Sequence, residues 1–209
     1  MAKEKKPGNE TDLSRRDFLK GGAAGVVTTG FLAGRQAEAR RLAGGVETVG
    51  PGTVPISLRI NGQLHQLELE PRVTLLDALR DHLDLTGAKK VCDRATCGAC
   101  SVQLDGKLVY ACSVLAIEAQ GKSIETIEGI STPDRLHAIQ AAFVQHDGSQ
   151  CGFCTPGFVM ACKALLDGNP QPDEEEFQLA LGGNLCRCGT YVGIREAVGE
   201  IAKGGMING

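Results

Sequence analysis

The sequence predicts an α+β fold, a small sheet crossed by one helix and followed by four short helices, and three observations predict it. Apolar and polar residues alternate on both sides of Asn61-Gly62, a strong short hairpin signal. From Thr132 onward the apolar period changes to 3.6 residues. Eight of the nine cysteines fall into two groups of four, one in each of these halves.

Taken in order, Val54-Pro-Ile-Ser-Leu-Arg-Ile60 and Gln63-Leu-His-Gln-Leu-Glu-Leu-Glu70 are two strands joined by the Asn61-Gly62 turn. Thr74 is placed to cap a helix through Leu75, Leu76, Leu79 and Leu83. A cysteine-rich loop leads to Ser101–Leu104, which turns at Asp105-Gly106 into Leu108–Ala111, and Lys122–Ile127 is a closing strand. Helices are expected over Asp134–His146, carrying Leu136, Ile139 and Phe143, and over Pro156–Leu166, Glu174–Leu181 and Tyr191–Ala202. Each has about a dozen residues or fewer and is marginal alone, so four such helices must bundle and gain from a clamp.

The composition limits what the chain can be. Its 209 residues include 28 Gly and 8 Pro but only eight aromatic side chains and no Trp, so something besides aromatic packing must hold a core of small residues. A formal charge of −3 with no basic face argues against a nucleic-acid partner. No run of eighteen apolar residues exists to span a membrane.

Residues 1–39 follow a different pattern. Lys3, Lys5 and Lys6 precede Ser14-Arg-Arg-Asp-Phe-Leu-Lys20, a glycine-rich apolar stretch from Gly21 to Ala33, and Ala37-Glu-Ala39. This order is that of a signal peptide cleaved after Ala39, and the pair Arg15-Arg16 resembles a twin-arginine signal, the address of a translocase that passes folded cargo. Thirteen helical residues reach only about 20 Å, too short for a stable membrane anchor. The mature chain then has 15 basic against 20 acidic residues, and residues 40–53, with Pro51, form a linker.

In an exported protein many cysteines ordinarily imply disulfides, but the spacing argues otherwise. Cys92, Cys97, Cys100 and Cys112 follow the plant-type C-x4-C-x2-C...C pattern of a 2Fe-2S cluster. Two irons bridged by two sulfides need four further thiolates, and one tight loop plus one remote cysteine supplies them. Gly98 and the small residues Ala95, Thr96 and Ala99 let the backbone wrap closely around the anion. Structural zinc is the competing occupant, but zinc modules usually divide their ligands between two knuckles. Cys151-Gly-Phe-Cys154 and Cys186-Arg-Cys188 are a second set of four, less diagnostic alone because zinc or a redox dithiol could use them. Both pairs precede expected helix starts, where the dipole favours thiolates. Cys162 shares an apolar stripe with Phe158, Leu165 and Leu166 and reads as a buried, inert thiol. His65, His82, His137 and His146 read as solvent-facing, and Asp173-Glu-Glu-Glu176 reads as a helix cap. Export after folding would protect thiolates already loaded with iron from later pairing into disulfides.

The Cys92/97/100/112 set, followed by Gln150-Cys-Gly-Phe-Cys-Thr-Pro-Gly157 and Gly183-Asn-Leu-Cys-Arg-Cys-Gly-Thr-Tyr191, resembles the iron-sulfur subunit of the molybdenum hydroxylases, the xanthine dehydrogenase/aldehyde oxidoreductase family. With its leader the chain is most similar to the small subunit of a periplasmic aldehyde oxidoreductase. The resemblance covers residues 54–203. It implies a β-grasp, plant ferredoxin-like domain over 54–130, a four-helix 2Fe-2S domain over 131–203 and a tail over 204–209. It also implies that Cys151, Cys154, Cys186 and Cys188 hold a cluster beside the molybdopterin of a large subunit, and that Cys92, Cys97, Cys100 and Cys112 hold one facing the FAD of a medium subunit. Gln150 and Cys188 match positions that touch the pterin. No catalytic residue is implied in this chain, which would relay single electrons during oxidation of an aldehyde to a carboxylic acid. Carbon monoxide or N-heterocycle hydroxylases need much the same subunit, while a free-standing ferredoxin-like carrier would need only one cluster.

Overall fold

The computed structural model describes residues 49–132 and 134–204. The expected signal peptide, most of the linker and all but the first residue of the tail lie outside the described residues. Strands β1 (Val54–Ile60) and β2 (Gln63–Leu69) pair antiparallel with Ile60 opposite Gln63. Asn61 and Gly62 between them both have positive φ, 49° and 81°, which gives the turn the twist a two-residue hairpin needs. Asp105 and Gly106 repeat this device, at 50° and 75°, between β3 (Ser101–Leu104) and β4 (Lys107–Tyr110). The sheet closes with β5 (Ser123–Glu125), parallel to β1 and antiparallel to β3, in the order β2-β1-β5-β3-β4.

One face of this sheet is apolar. Ile56, Leu58, Ile60, Val102 and Ile124 point to it and meet Leu75, Leu76 and Leu79 of the helix α1 (Leu75–His82), all essentially inaccessible to water. Each such side chain contributes on the order of 1.5–3 kcal/mol by burial. α1 begins as the α-turn Leu75–Asp77, capped by a hydrogen bond from the Asp77 N–H to the Thr74 hydroxyl at 3.1 Å, and widens into a π-type turn over Ala78–His82.

The second half supplies α2 (Ala138–Gln145), α3 (Thr155–Gly168), α4 (Glu174–Leu181) and α5 (Tyr191–Ala202). Their core is Ile139, Phe143, Phe158, Val159, Ile194 and Val198. α3 also packs on β3 and β4, so the helices cover the other side of the sheet and bury its polar positions Ser101 and Gln103.

Two expectations fail in this half. α2 starts at Ala138 rather than Asp134, because Thr132 and Arg135 pair with each other and His137 becomes the cap. The His137 Nδ1 accepts from the Ile139 N–H at 3.3 Å, while the Gln140 side chain accepts the His137 N–H at 3.0 Å. Nor are His137 and His146 simply solvent-facing: both are half-buried, and His146 is paired with Glu200, with Glu196 3.7 Å away, joining α2 to α5. The Asp173 run does cap α4, the Glu176 N–H donating to Asp173 at 2.8 Å and the Asp173 N–H to Glu176 at 2.9 Å. Cys162 is fully buried, and burial pushes its thiol far up, as suits an inert core residue.

Candidate iron-sulfur sites

The loop before β3 is built to surround an anion. A hydrogen bond from the Lys89 N–H to the Ala99 carbonyl at 3.0 Å closes its base. Within it Asp93, Ala95 and Gly98 all have left-handed backbone, with φ of 55°, 52° and 67°. Such turns point successive N–H groups inward. The Ala95 N–H donates to the Cys112 Sγ and the Thr96 N–H to the Cys92 Sγ, each at 3.3 Å. Cys97 lies close enough to Cys92, and Cys112 to Cys100, to shift their ionisation. Burial opposes ionisation of Cys92, yet the N–H groups of Thr96 and Arg94 and the Cys97 thiol bring it down to about 6. Cys100 is instead pushed up to about 12 by burial and by the neighbouring Cys112 and Cys97.

The second set forms around two helix starts. Cys154 immediately precedes α3, and Pro156 sits in that helix's first turn, where its missing N–H costs nothing. Cys188 lies close enough to help lower the Cys151 thiol, and Cys186 close enough to help raise that of Cys154. The Cys186 Sγ lies 3.2 Å from the Thr190 hydroxyl, and the Cys186 N–H donates to the Tyr191 hydroxyl at 2.8 Å. Tyr191 is itself steadied by an edge-on contact with Phe158, ring centres 5.9 Å apart. Burial works against the Cys186 thiolate, but the Thr190 hydroxyl and N–H bring its thiol down to about 7. At Cys154 burial, with Cys186 and Cys151 close by, pushes the thiol up to about 12.

No disulfide joins any of the nine cysteines. Among the described residues, no three or more His, Cys, Asp or Glu side chains gather closely enough for a single metal ion. Each set is instead two adjacent sulfur pairs, an arrangement that fits two irons sharing bridging sulfides better than one tetrahedral zinc. The inward N–H groups and the Thr190 hydroxyl supply the donors that bridging and ligand sulfurs accept. Loading must strip protons from the raised Cys100 and Cys154 thiols, so it releases acid and strengthens with rising pH.

The two sets meet. The Leu185 N–H, next to Cys186, donates to the carbonyl of Cys97 at 3.0 Å, and Cys97, Cys151 and Cys154 line one cleft of about 130 Å³ with Val91, Phe153 and Leu185. Their exposures differ: Cys100 and Cys112 are buried, whereas Cys151, Cys188 and Gln150 lie at the surface beside exposed Phe153, Leu185, Tyr191 and Val192. A hollow between Leu136, Phe143, Val144 and Val159 is lined by none of the cysteines. Thr190 and Tyr191 contact Cys186 and Asn184 bonds across to Gly98 in the first loop, although sequence reasoning assigned none of them a ligand-supporting role. They belong to the Gly183–Tyr191 motif, and their place on either side of Cys186 and Cys188 was the available signal.

This is a protein of two 2Fe-2S binding domains. Residues 58–124 match the 2Fe-2S iron-sulfur cluster binding domain and residues 126–199 the 2Fe-2S binding domain, while residues 12–31 match the twin-arginine translocation pathway signal sequence. The chain is 40% identical over 209 aligned residues to the aldehyde oxidoreductase iron-sulfur-binding subunit PaoA of Escherichia coli strain K12, covering 93% of this chain and 90% of that subunit. It is 41% identical to the nicotinate dehydrogenase small FeS subunit of Eubacterium barkeri, covering 69% and 92%. The structure of quinoline 2-oxidoreductase from Pseudomonas putida 86 superposes with a TM-score of 0.70 at 39% identity, over 74% of this chain and 97% of that one. The aldehyde oxidoreductase of Desulfovibrio desulfuricans ATCC 27774 superposes at 0.69 and 42% identity, over 72% of this chain and 17% of that longer one. The chain belongs to the iron-sulfur subunits of the molybdenum hydroxylases, the family of xanthine dehydrogenase and aldehyde oxidoreductase.

Proposed function

We propose that this chain carries single electrons through two 2Fe-2S clusters, from a molybdopterin subunit to an FAD subunit, during oxidation of an aldehyde to a carboxylic acid. Cys151, Cys154, Cys186 and Cys188 hold the cluster nearer the pterin, and Cys92, Cys97, Cys100 and Cys112 hold the one nearer the flavin. The observation that carries this reading is the 3.0 Å hydrogen bond from the Leu185 N–H to the Cys97 carbonyl, because it ties a ligand of one set to the neighbour of a ligand in the other. From Cys186 an electron needs to cross only this one non-covalent link to reach Cys97. The clusters supply the one-electron chemistry; the chain's residues hold the thiolates, fix the link between them and exclude water from Cys100 and Cys112.

The exposed end of the path fits docking onto the large subunit. Gln150 and Cys188 reach its pterin, while Phe153, Leu185, Tyr191 and Val192 form the apolar margin that a permanent interface covers. The leader takes the folded, loaded chain to the periplasm. The match to PaoA spans the leader as well as both domains and favours an aldehyde as the substrate of the complex. Relatives named for nicotinate and quinoline make an N-heterocycle the alternative.

EPR of the reduced complex, with iron and sulfide analysis, tests the assignment. Two distinct 2Fe-2S signals are expected, and Cys151→Ser should abolish the helical-domain signal while sparing the other. Zinc in place of iron, or joint loss of both signals, would refute the division into two ligand sets. Replacing Arg15 and Arg16 with Lys should trap the chain in the cytosol, which fractionation of the producing cells reads directly.

A further inference from the structure

The chain segments carrying the two sets of cysteines converge on one atom, the carbonyl oxygen of Gly98. Gly98 lies between Cys97 and Cys100 in the loop of the first set. Its carbonyl accepts from the Ser101 N–H at 3.1 Å, from the Ser101 hydroxyl at 2.7 Å and from the Asn184 Nδ2 at 3.1 Å. Asn184 lies two residues before Cys186, so its amide joins the two sets side chain to backbone, beside the backbone link from Leu185 to Cys97. The third approach comes from α3. Gly157, three residues after Cys154, is pressed so closely on Gly98 that a Cβ there would overlap the same carbonyl oxygen.

Asn184 is held tightly in this junction. It is 2% exposed, and a Cβ on Gly98 would fall 2.6 Å from its amide carbon. A carbonyl oxygen only accepts, so Nδ2 rather than Oδ1 must face Gly98, which fixes the amide's orientation. Its Oδ1 then has no donor among the described residues. A buried orphan acceptor is destabilising, so an apolar residue would suit this position better if packing were its whole purpose. The bond made by Nδ2 is what an apolar side chain cannot supply.

We propose that Asn184 is a positioning residue for electron transfer: by fastening the Cys186 segment to the Gly98 carbonyl it sets the separation and coupling of the two clusters. The inference rests on the two-cluster reading. In the step it serves, one electron leaves the helical-domain cluster and one arrives at the ferredoxin-like cluster; no bond forms or breaks and no proton has to move. The rate of such a step depends on the separation of the two centres and the contacts joining them. Releasing one of the two parallel bonds between segments 97–98 and 184–185 lets the clusters shift apart without removing any ligand.

The experiment uses the complex purified from its host, with Asn184→Ala and Asn184→Gln beside the unaltered protein. Iron and sulfide content, low-temperature EPR of the fully reduced complex and the rate of electron equilibration between clusters after rapid reduction are measured. Asn184→Ala should keep full iron content and both signals, weaken their mutual spin coupling and slow equilibration by about tenfold or more, the scale on which small misplacements of reacting groups act. Asn184→Gln keeps a donor and should recover part of the coupling and rate. Unchanged coupling and rate in Asn184→Ala would overturn the proposal. Loss of the helical-domain cluster in both variants would also overturn it, by showing that Asn184 merely supports the ligand loop. Absence of two signals in the unaltered complex would refute the two-cluster reading itself, and so is distinguishable from either result.

Discussion

At the scale of single residues, each ligand set mixes thiols made easier to ionise with thiols made harder. Cys92 and Cys186 lie near hydrogen-bond donors and are lowered, while Cys100 and Cys154 are raised by burial. The donors matter after loading too, because a hydrogen bond to a ligand sulfur stabilises the extra negative charge of the reduced cluster and raises its potential. Thr190, whose hydroxyl lies 3.2 Å from the Cys186 Sγ, is the side-chain donor of the second set. Thr190→Val keeps the shape and removes the hydroxyl. It should lower the midpoint potential of the helical-domain cluster while leaving the other unmoved, and Thr190→Ser should restore it, as a potentiometric titration followed by EPR would show.

At the scale of elements, the start of α2 depends on a residue that titrates. The His137 Nδ1 accepts the Ile139 N–H, a role open only to the neutral ring, and burial followed by the nearby Lys163 charge holds the imidazole below its ordinary value. The folded state therefore binds this proton less readily than the unfolded chain does. The resulting stability is whole above about pH 6.5, the ordinary histidine value, and is lost as pH falls through the lower folded value. Thermal denaturation across pH 7.5 to 5 should show this loss in the unaltered protein and a flatter profile in His137→Asn, whose cap does not titrate. Element starts were also where sequence reading failed. Leu136, Ile139 and Phe143 have helical spacing, so the pattern extended α2 back to Asp134; periodicity does not register the Thr132–Arg135 pairing that holds those residues out of the helix. The hairpins were legible because Asn61-Gly62 and Asp105-Gly106 carry their turn geometry in their own backbone preferences.

At the scale of the molecule, the sheet and the helices share a polar seam. The Lys163 side chain of α3 is 13% exposed and reaches Glu125 of β5 at 2.9 Å and Asp167 at 2.7 Å. Burial opposes its charge, but the two carboxylates outweigh that and hold the ammonium above its ordinary value. Lys163→Met keeps the length and strands Glu125 in a half-buried place. It should cost about 1–2 kcal/mol, less than for a fully buried pair. Chemical denaturation should show a lower midpoint, and unfolding of the two halves should become less cooperative because the seam carries their coupling.

By itself the sequence determined the two strand pairs, the approximate extent of the helices, the leader motif and the grouping of eight cysteines into two sets of four. Each of these is written in local spacing: a period of two or 3.6, a turn dipeptide, a distance along the chain between thiols. Only the tertiary structure decided that Leu185 bonds to Cys97, that Asn184 and Gly157 meet at Gly98, and that Cys100 and Cys112 are buried while Cys151 and Cys188 are exposed. These contacts join residues tens of positions apart, and both burial and hydrogen-bond partnership depend on what the rest of the fold brings beside a residue, which no local pattern records.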